Sequence, residues 1–215
     1  MAKTPDRDGF VELWPTLLLQ RRLPGHEAAN LALGQMIAAE ESANPELTTD
    51  YRAGNLLGRA HPALDWLRGC INKTAVDYLQ RCGVPPGLRW TLQGWANVNR
   101  FGDYHDLHNH PHAYLSGTYY VATPTQPARS ALPGRRDRTP GAISFYDPRP
   151  QANMTAIKGD PQIESEHLIV PQAGMLLLWP AFLHHLVHPN LAQDARVSIS
   201  FNLLVKASEE NLPEQ

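Results

Sequence analysis

Residues 95–121 read WANVNRFGDYHDLHNHPHAYLSGTYYV, and the second half of this stretch alternates. From His108 the even positions are His108, His110, His112, Tyr114, Ser116, Thr118 and Tyr120, while the odd positions from 111 are Pro111, Ala113, Leu115, Gly117 and Tyr119. A period of two belongs to a β-strand, whose successive side chains point to opposite faces. A strand over 108–122 is therefore expected, with one polar and one packing face. Half-buried strands of antiparallel sheets commonly carry a wet outer face. That does not explain why the polar residues are His, Tyr and Ser instead of Lys, Glu and Thr. Histidines two apart on a strand project from the same face, so the imidazoles of His108 and His110 can reach one metal ion.

The last strand pattern has the same character. Over 196–205, Val197, Ile199, Phe201, Leu203 and Val205 share one face, and Arg196, Ser198, Ser200 and Asn202 share the other. Between the two segments, residues 174–189 (GMLLLWPAFLHHLVHP) run as an apolar strand, a turn at Pro180, and then His184, His185 and His188. His185 offers a third ligand. Eleven residues on stands Arg196, whose planar fork can grip a carboxylate through two parallel hydrogen bonds. A metal beside a carboxylate anchor is a chemical constellation, and the order of its parts carries more weight than any His-x-His pair alone.

Outward from this core, residues 26–42 place Ala29, Leu33, Met36 and Ile37 at helical spacing, with Pro45 beyond the end. A second helix is expected from about Pro62 to Cys82, with Leu64, Leu67, Ile71, Ala75, Tyr78, Leu79 and Cys82 as one apolar stripe and Gly83 as the stop. Cys70 and Cys82 read as small buried hydrophobes on this helix. After Pro85 and Pro86 the pattern changes to short aromatic and β-branched segments, with strands expected near 90–99, 108–122, 142–147, 167–170, 174–179 and 196–205. Helices followed by strands give an α+β, mainly β protein, in which N-terminal helices brace a sandwich or jelly roll. One domain over 1–215 is expected, divided into a mostly helical support region at 1–85 and a catalytic core at 86–207. The 123–141 loop, with four prolines and four arginines including Arg129, Arg135, Arg136 and Arg138, reads as a lid or a solvated insertion.

Composition narrows the function. With 19 basic and 21 acidic residues and a pI near 6.5, the chain has no electrostatic footprint for nucleic acid or an anionic membrane. The two cysteines lie in neither a CxxC nor a zinc spacing, and a reducing cytoplasm fits. The amino terminus has no apolar h-region. Seven of the 10 histidines fall within 105–112 and 184–188, which is what singles out the site.

The segments 95–121, 174–189 and 196–202 resemble the iron(II)- and 2-oxoglutarate-dependent oxygenases, in particular a bacterial and phage branch with a His-x-His metal motif. They look like its Trp-x-Asn pattern, its His-x-His-Pro followed by Leu-Ser-Gly-x-Tyr-Tyr, its Trp/Phe-Pro turn leading to His-x-Val-x-Pro, and its Arg-x-Ser strand. The resemblance implies a double-stranded β-helix, with His108, His110 and His185 as iron ligands and Arg196 with Ser198 binding the distal carboxylate of 2-oxoglutarate. Tyr120 would meet the same carboxylate, Asn97 would be a weaker contact, and His105, His112, His184 and His188 would play supporting or structural parts. Most of the superfamily has a carboxylate where position 110 holds histidine; Asp106 is the alternative carboxylate, ranked below His110 because it needs an irregular chain. The implied reaction converts the co-substrate to succinate and hydroxylates an unactivated C–H bond. The alternatives are a three-histidine dioxygenase without 2-oxoglutarate and a cupin-like metal-binding or isomerase protein. The expected partner is a small-molecule or peptide substrate, with no nucleic acid and no membrane, and a homodimer is compatible with the sequence.

Overall fold

A computed structural model describes residues 14–43, 54–84, 87–126, 139–149, 160 and 164–206. The elements run β1 (Leu19–Arg22), α1 (His26–Ala43), α2 (Pro62–Arg81), β2 (Trp90–Asn99), β3 (His105–His108), β4 (Leu115–Ala122), β5 (Ile143–Tyr146), β6 (Glu166–Ile169), β7 (Met175–Pro180), β8 (His185–Val187) and β9 (Arg196–Val205), with one 3₁₀ turn at Leu56–Gly58. The strands form two antiparallel sheets: five in the order β1-β7-β4-β9-β2, and four in the order β3-β8-β5-β6. This is the expected double-stranded β-helix backed by helices.

Both helices follow from their sequence. On α2, Pro62 occupies the first turn, where its missing N–H costs nothing, and His61 caps the helix by accepting from Ala63 N at 3.2 Å. Gly83, at φ 74°, takes the left-handed turn that ends it. The stripe Leu64, Leu67, Ile71, Ala75, Tyr78 and Leu79 is buried as expected. Cys82 is not: it lies exposed past the helix end, and Cys70 is only half-buried, so the expectation of two core cysteines is corrected. On α1, Ala29, Leu33 and Ile37 are buried.

The five-stranded sheet has two differently used faces. Its outer face packs Leu115, Tyr119, Val121, Leu176, Leu178, Ile199, Phe201 and Leu203 against both helices. Tyr78 Oη donates to Leu17 O at 2.9 Å, and Arg21 pairs with Asp77 at 2.7 Å, tying α2 to the start of β1. The inner face presents Tyr120, Leu177 and Trp179 to Ile143 and Phe145 of the smaller sheet. The alternation read in 196–205 is thus the division between helix-facing core and barrel interior.

The expected strand over 108–122 is corrected. It is two strands in two different sheets, β3 ending at His108 and β4 beginning at Leu115, with a turn between them. The strands β1 and β8 and the separate β3 were not foreseen; each is only three or four residues long, too short for a period to register. Most of the 123–141 loop, with Arg129, Arg135, Arg136 and Arg138, lies outside the described residues.

The outermost strand β2 does not end in open hydrogen-bonding groups along its middle. Asn55 accepts from Gly94 N at 2.9 Å and donates to Leu92 O at 2.7 Å, while Leu57 lies over Gly94. Glycine is needed at two close approaches. A Cβ at Gly117 would stand 2.2 Å from the Phe201 ring and 2.6 Å from Leu177 O, and the second is backbone that cannot step aside. A Cβ at Gly94 would meet the Leu57 side chain at 2.6 Å, with Ser200 O at 3.3 Å. Gly117→Ala is expected to cost about 3 kcal/mol and Gly94→Ala nearer 1, because overpacking is cheapest where a side chain can move. Urea denaturation midpoints of the two variants test the order; equal losses would contradict this account.

Candidate metal centre

The β3–β8 pairing sets His108 directly opposite His185, with ring centroids 4.2 Å apart. His110 comes from the turn two residues past β3, where its N–H donates to Ala181 O at 2.9 Å and its carbonyl accepts from Ala113 N at 3.1 Å. Its ring lies parallel to that of His185 (5.3 Å, 5°) and stacks on Trp95 of the facing sheet (5.9 Å, 28°). His108 and His110 therefore meet through a turn seated on Trp95, not through shared strand parity. The ligating nitrogens of the three residues all lie within 4.8 Å of one another.

Hydrogen bonds orient two of the rings. His108 Nδ1 lies 2.6 Å from Asp106 O, and His185 Nδ1 lies 3.1 Å from Leu183 O. A carbonyl can only accept, so in each case the proton sits on Nδ1 and the Nε2 lone pair is left for a ligand bond. Burial, reinforced by the neighbouring His108, lowers the pKa of His185 to about 3 and that of His110 to about 4. Both are neutral at pH 7, the form in which imidazole binds metal. Three imidazole nitrogen donors suit iron(II), among other first-row ions. The Asp106 carboxylate instead accepts from Leu107 N in an exposed position and is absent from the cluster, whose three members are His108, His110 and His185.

Arg196 lines the same cavity and is 2% exposed. Its Nη1 donates to Gly141 O and its Nη2 to Asn99 Oδ1, each at 3.0 Å, while Nε is buried without a partner. A buried donor left unpaired costs roughly 1–3 kcal/mol, and a guanidinium edge matches a carboxylate. The residues thus fit a dicarboxylate as well as a metal. Tyr120 lies beside Arg196 with its phenol pushed up to about 12 by burial, so it stays a donor. Asn97, fully buried, donates to Ser200 Oγ at 2.9 Å and Ser198 Oγ at 3.4 Å, and all three line the cavity.

The structure thus gathers His108, His110, His185, Arg196, Ser198, Tyr120 and Asn97 around one cavity. His112 and His184 are exposed and line no part of it, and His188 Nε2 meets Ser144 Oγ at 2.7 Å. Asn99 and Trp179 were not foreseen as site residues, and of the four supporting histidines His105 is the one that lines the cavity. Asn99 Nδ2 lies 3.1 Å from His105 Nε2, and Trp179 packs edge-on against His185 at 5.0 Å with its own Nε1 buried and unpartnered. For Asn99 a signal existed, since Trp95, Asn97 and Asn99 alternate along one face of β2.

The fold and the three-histidine cluster define a jelly-roll protein built to hold a catalytic metal. The model of the family described as "Putative 2OG-Fe(II) oxygenase" matches residues 93–202, just over half of the chain, and the chain belongs to that family. It is accordingly an oxidoreductase whose metal is iron(II) and whose co-substrate is 2-oxoglutarate. Among solved structures it is similar to a Pseudomonas putida prolyl-4-hydroxylase (15% identity, 88% of each chain covered, TM-score 0.56). It is also similar to AviO1 from Streptomyces viridochromogenes Tue57 (12%, 92% of each chain, TM-score 0.56). A third similar structure is HygX from Streptomyces hygroscopicus with nickel and 2-oxoglutarate bound (16%, 87% of this chain and 82% of that one, TM-score 0.52). At these identities the likeness is one of fold. No curated protein matches the chain. No described helix is long and apolar enough to cross a membrane.

The lowered histidine pKa values make a pH prediction. Unfolded histidines take up protons below about 6.5, whereas folded His185 and His110 resist until about 3 and 4. Between those limits the unfolded state binds more protons, so their contribution to the stability of the metal-free protein is present above pH 6.5 and lost as pH falls toward 4. Urea midpoints of the metal-free protein at pH 7.5 and pH 5 should fall, with a smaller fall in His110→Asn; equal falls in the two proteins would contradict it.

Proposed function

We propose that this chain is an iron(II)- and 2-oxoglutarate-dependent hydroxylase in which His108, His110 and His185 hold the metal and Arg196, flanked by Ser198, Tyr120 and Asn97, binds the distal carboxylate of the co-substrate. The observation that carries the reading is the meeting, in one cavity, of a three-imidazole cluster and a buried arginine with an unpaired Nε–H. The structure of HygX with nickel and 2-oxoglutarate shows a similar fold binding both kinds of group, which supports the reading.

When bound, iron(II) with 2-oxoglutarate and dioxygen supplies the oxidising power that turns the co-substrate into succinate and carbon dioxide and hydroxylates an unactivated C–H bond. The protein's own part is to bind, orient and shield. Three neutral imidazoles leave the metal's double charge uncompensated, and Arg196 adds a further fixed charge, so the cavity selects a dianion. The Arg196 edge orients one carboxylate, and the neutral Tyr120 hydroxyl and Ser198 add donors beside it. Trp179, Ile143 and Val187 wall the site in apolar surface, which keeps bulk water away from the reacting centre. The prime substrate is a small molecule or a peptide that reaches the metal from the His108 and His110 side, where both rings are only half-buried.

Anaerobic addition of iron(II) and 2-oxoglutarate is expected to produce a visible metal-to-co-substrate absorption band, and oxygen to release succinate. Absence of both would overturn the reading. Arg196→Ala is expected to weaken 2-oxoglutarate binding by about 30-fold or more, since truncating one side of a buried charge-assisted pair costs about 2–5 kcal/mol. Arg196→Lys should recover little of it, because a point charge does not reproduce the planar fork. Iron binding by the Arg196→Ala protein should stay intact; an Arg196→Ala protein that binds 2-oxoglutarate normally would favour a three-histidine dioxygenase without that co-substrate.

A further inference from the structure

The arginine that faces the cavity is clamped from behind. Its two Nη groups donate to Asn99 Oδ1 and Gly141 O, one acceptor from the end of β2 and one from the residue two before β5. Each acceptor is itself fixed. Because Arg196 can only donate, the Asn99 oxygen must face it, so the Asn99 amide nitrogen must face His105, which accepts at Nε2 across 3.1 Å. The Asn99 backbone carbonyl accepts from Asn190 Nδ2 at 2.9 Å. Asn190, fully buried, in turn accepts from Gln126 Nε2 at 2.8 Å and Ala192 N at 3.1 Å, and Gln126 Oε1 accepts from Leu191 N at 2.9 Å.

Gly141 is held with equal firmness. It sits at φ 72°, a conformation that side chains rarely adopt, and its N–H donates to Pro189 O at 2.8 Å. A Cβ there would lie 2.8 Å from Gln126 Nε2, so the same glutamine closes the space behind it. Two anchored acceptors on one planar group remove its freedom to slide or turn. Of the three guanidinium nitrogens, Nε is the one left without a partner. The clamp is also neutral throughout: an amide oxygen and a backbone carbonyl orient the guanidinium without cancelling its charge, which an aspartate at position 99 would do.

Taking Arg196 as the anchor of the distal carboxylate, as proposed above, we infer that Asn99 is a positioning residue that fixes the reach of Arg196 and so selects the length of the dicarboxylate: 2-oxoglutarate over 2-oxoadipate, one methylene longer. A guanidinium free to swing would follow a longer chain. A guanidinium pinned at both Nη atoms meets only the carboxylate that arrives at the right distance from the metal. Asn99 acts through Arg196 and touches neither the co-substrate nor the reacting atoms.

The test measures binding of 2-oxoglutarate and 2-oxoadipate to the iron(II)-loaded protein under nitrogen by calorimetry, for the wild type, Asn99→Ala, Asn99→Gln and Asn99→Asp. The wild type should prefer 2-oxoglutarate. Asn99→Ala should narrow that preference by tenfold or more, mostly by losing 2-oxoglutarate affinity, with iron affinity within about threefold. Asn99→Gln keeps the amide but moves its oxygen by one carbon, and should also change the ratio. Asn99→Asp should weaken both diacids together, because the charge they seek is neutralised. A merely structural asparagine would lower stability, or both affinities alike, and leave the ratio of the alanine and glutamine variants within twofold of wild type. That result, in whichever of the two folds, overturns the inference. A wild type that binds no 2-oxoglutarate at all would instead overturn the co-substrate reading on which it rests.

Discussion

A guanidinium buried to 2% exposure, with no carboxylate paired to it among the described residues, is the constraint around which the molecule is arranged. Removing a charge from water costs several kcal/mol even after the protein relaxes. Here that cost is met by neutral acceptors delivered from separate parts of the chain: the last residue of β2, the turn before β5, and the 126–192 amide network behind them. Burial still shifts the arginine toward its uncharged form, and it lowers the pKa of His105 as well, helped by the arginine's own field. The neutral imidazoles and the cation are two sides of one electrostatic design, an interior poised with excess positive potential for an anion.

The five-stranded sheet separates two tasks by face. Stability comes mainly from the helix-facing side, where Leu64, Leu67 and Ile71 of α2 meet Ile199, Phe201 and Leu203 of β9. The opposite side of the same strands carries Ser198, Ser200, Thr118 and Tyr120, whose hydroxyls supply donors to the cavity. Because side chains alternate, each strand performs both tasks, and a one-residue slip would exchange them. Strand β9 shows this most plainly, with Ser198 and Ser200 alternating with Ile199 and Phe201.

That alternation is also why so much was legible in the sequence. Long elements with a sustained period, α1, α2, β2, β7 and β9, stand close to where the spacing predicts them. The histidines and Arg196 were legible by type and order, since few other residues suit a metal or a carboxylate. The relation between His108 and His110 was not. Parity placed them on one strand face, whereas Pro111 and the residues around it form a turn, and what brings His110 to the cluster is the Trp95 ring in the other sheet. Contacts between sheets have no local period. Asn99 was missed for a different reason: its meaning lies in Arg196, its partner across the β2–β9 ladder, which is 97 residues away in the chain.

The Asn55 side chain, which bonds Leu92 and Gly94 along the outer flank of β2, has a consequence for how copies of this protein can meet. An unguarded flank ten residues long would be a template for another chain to add a strand, the usual start of edge-to-edge association. One amide, offering a donor and an acceptor in the spacing of a strand backbone, occupies the middle of that template, and Leu57 covers it from above. Self-association through this flank would first have to expel both, so any assembly of the protein is steered to other surfaces.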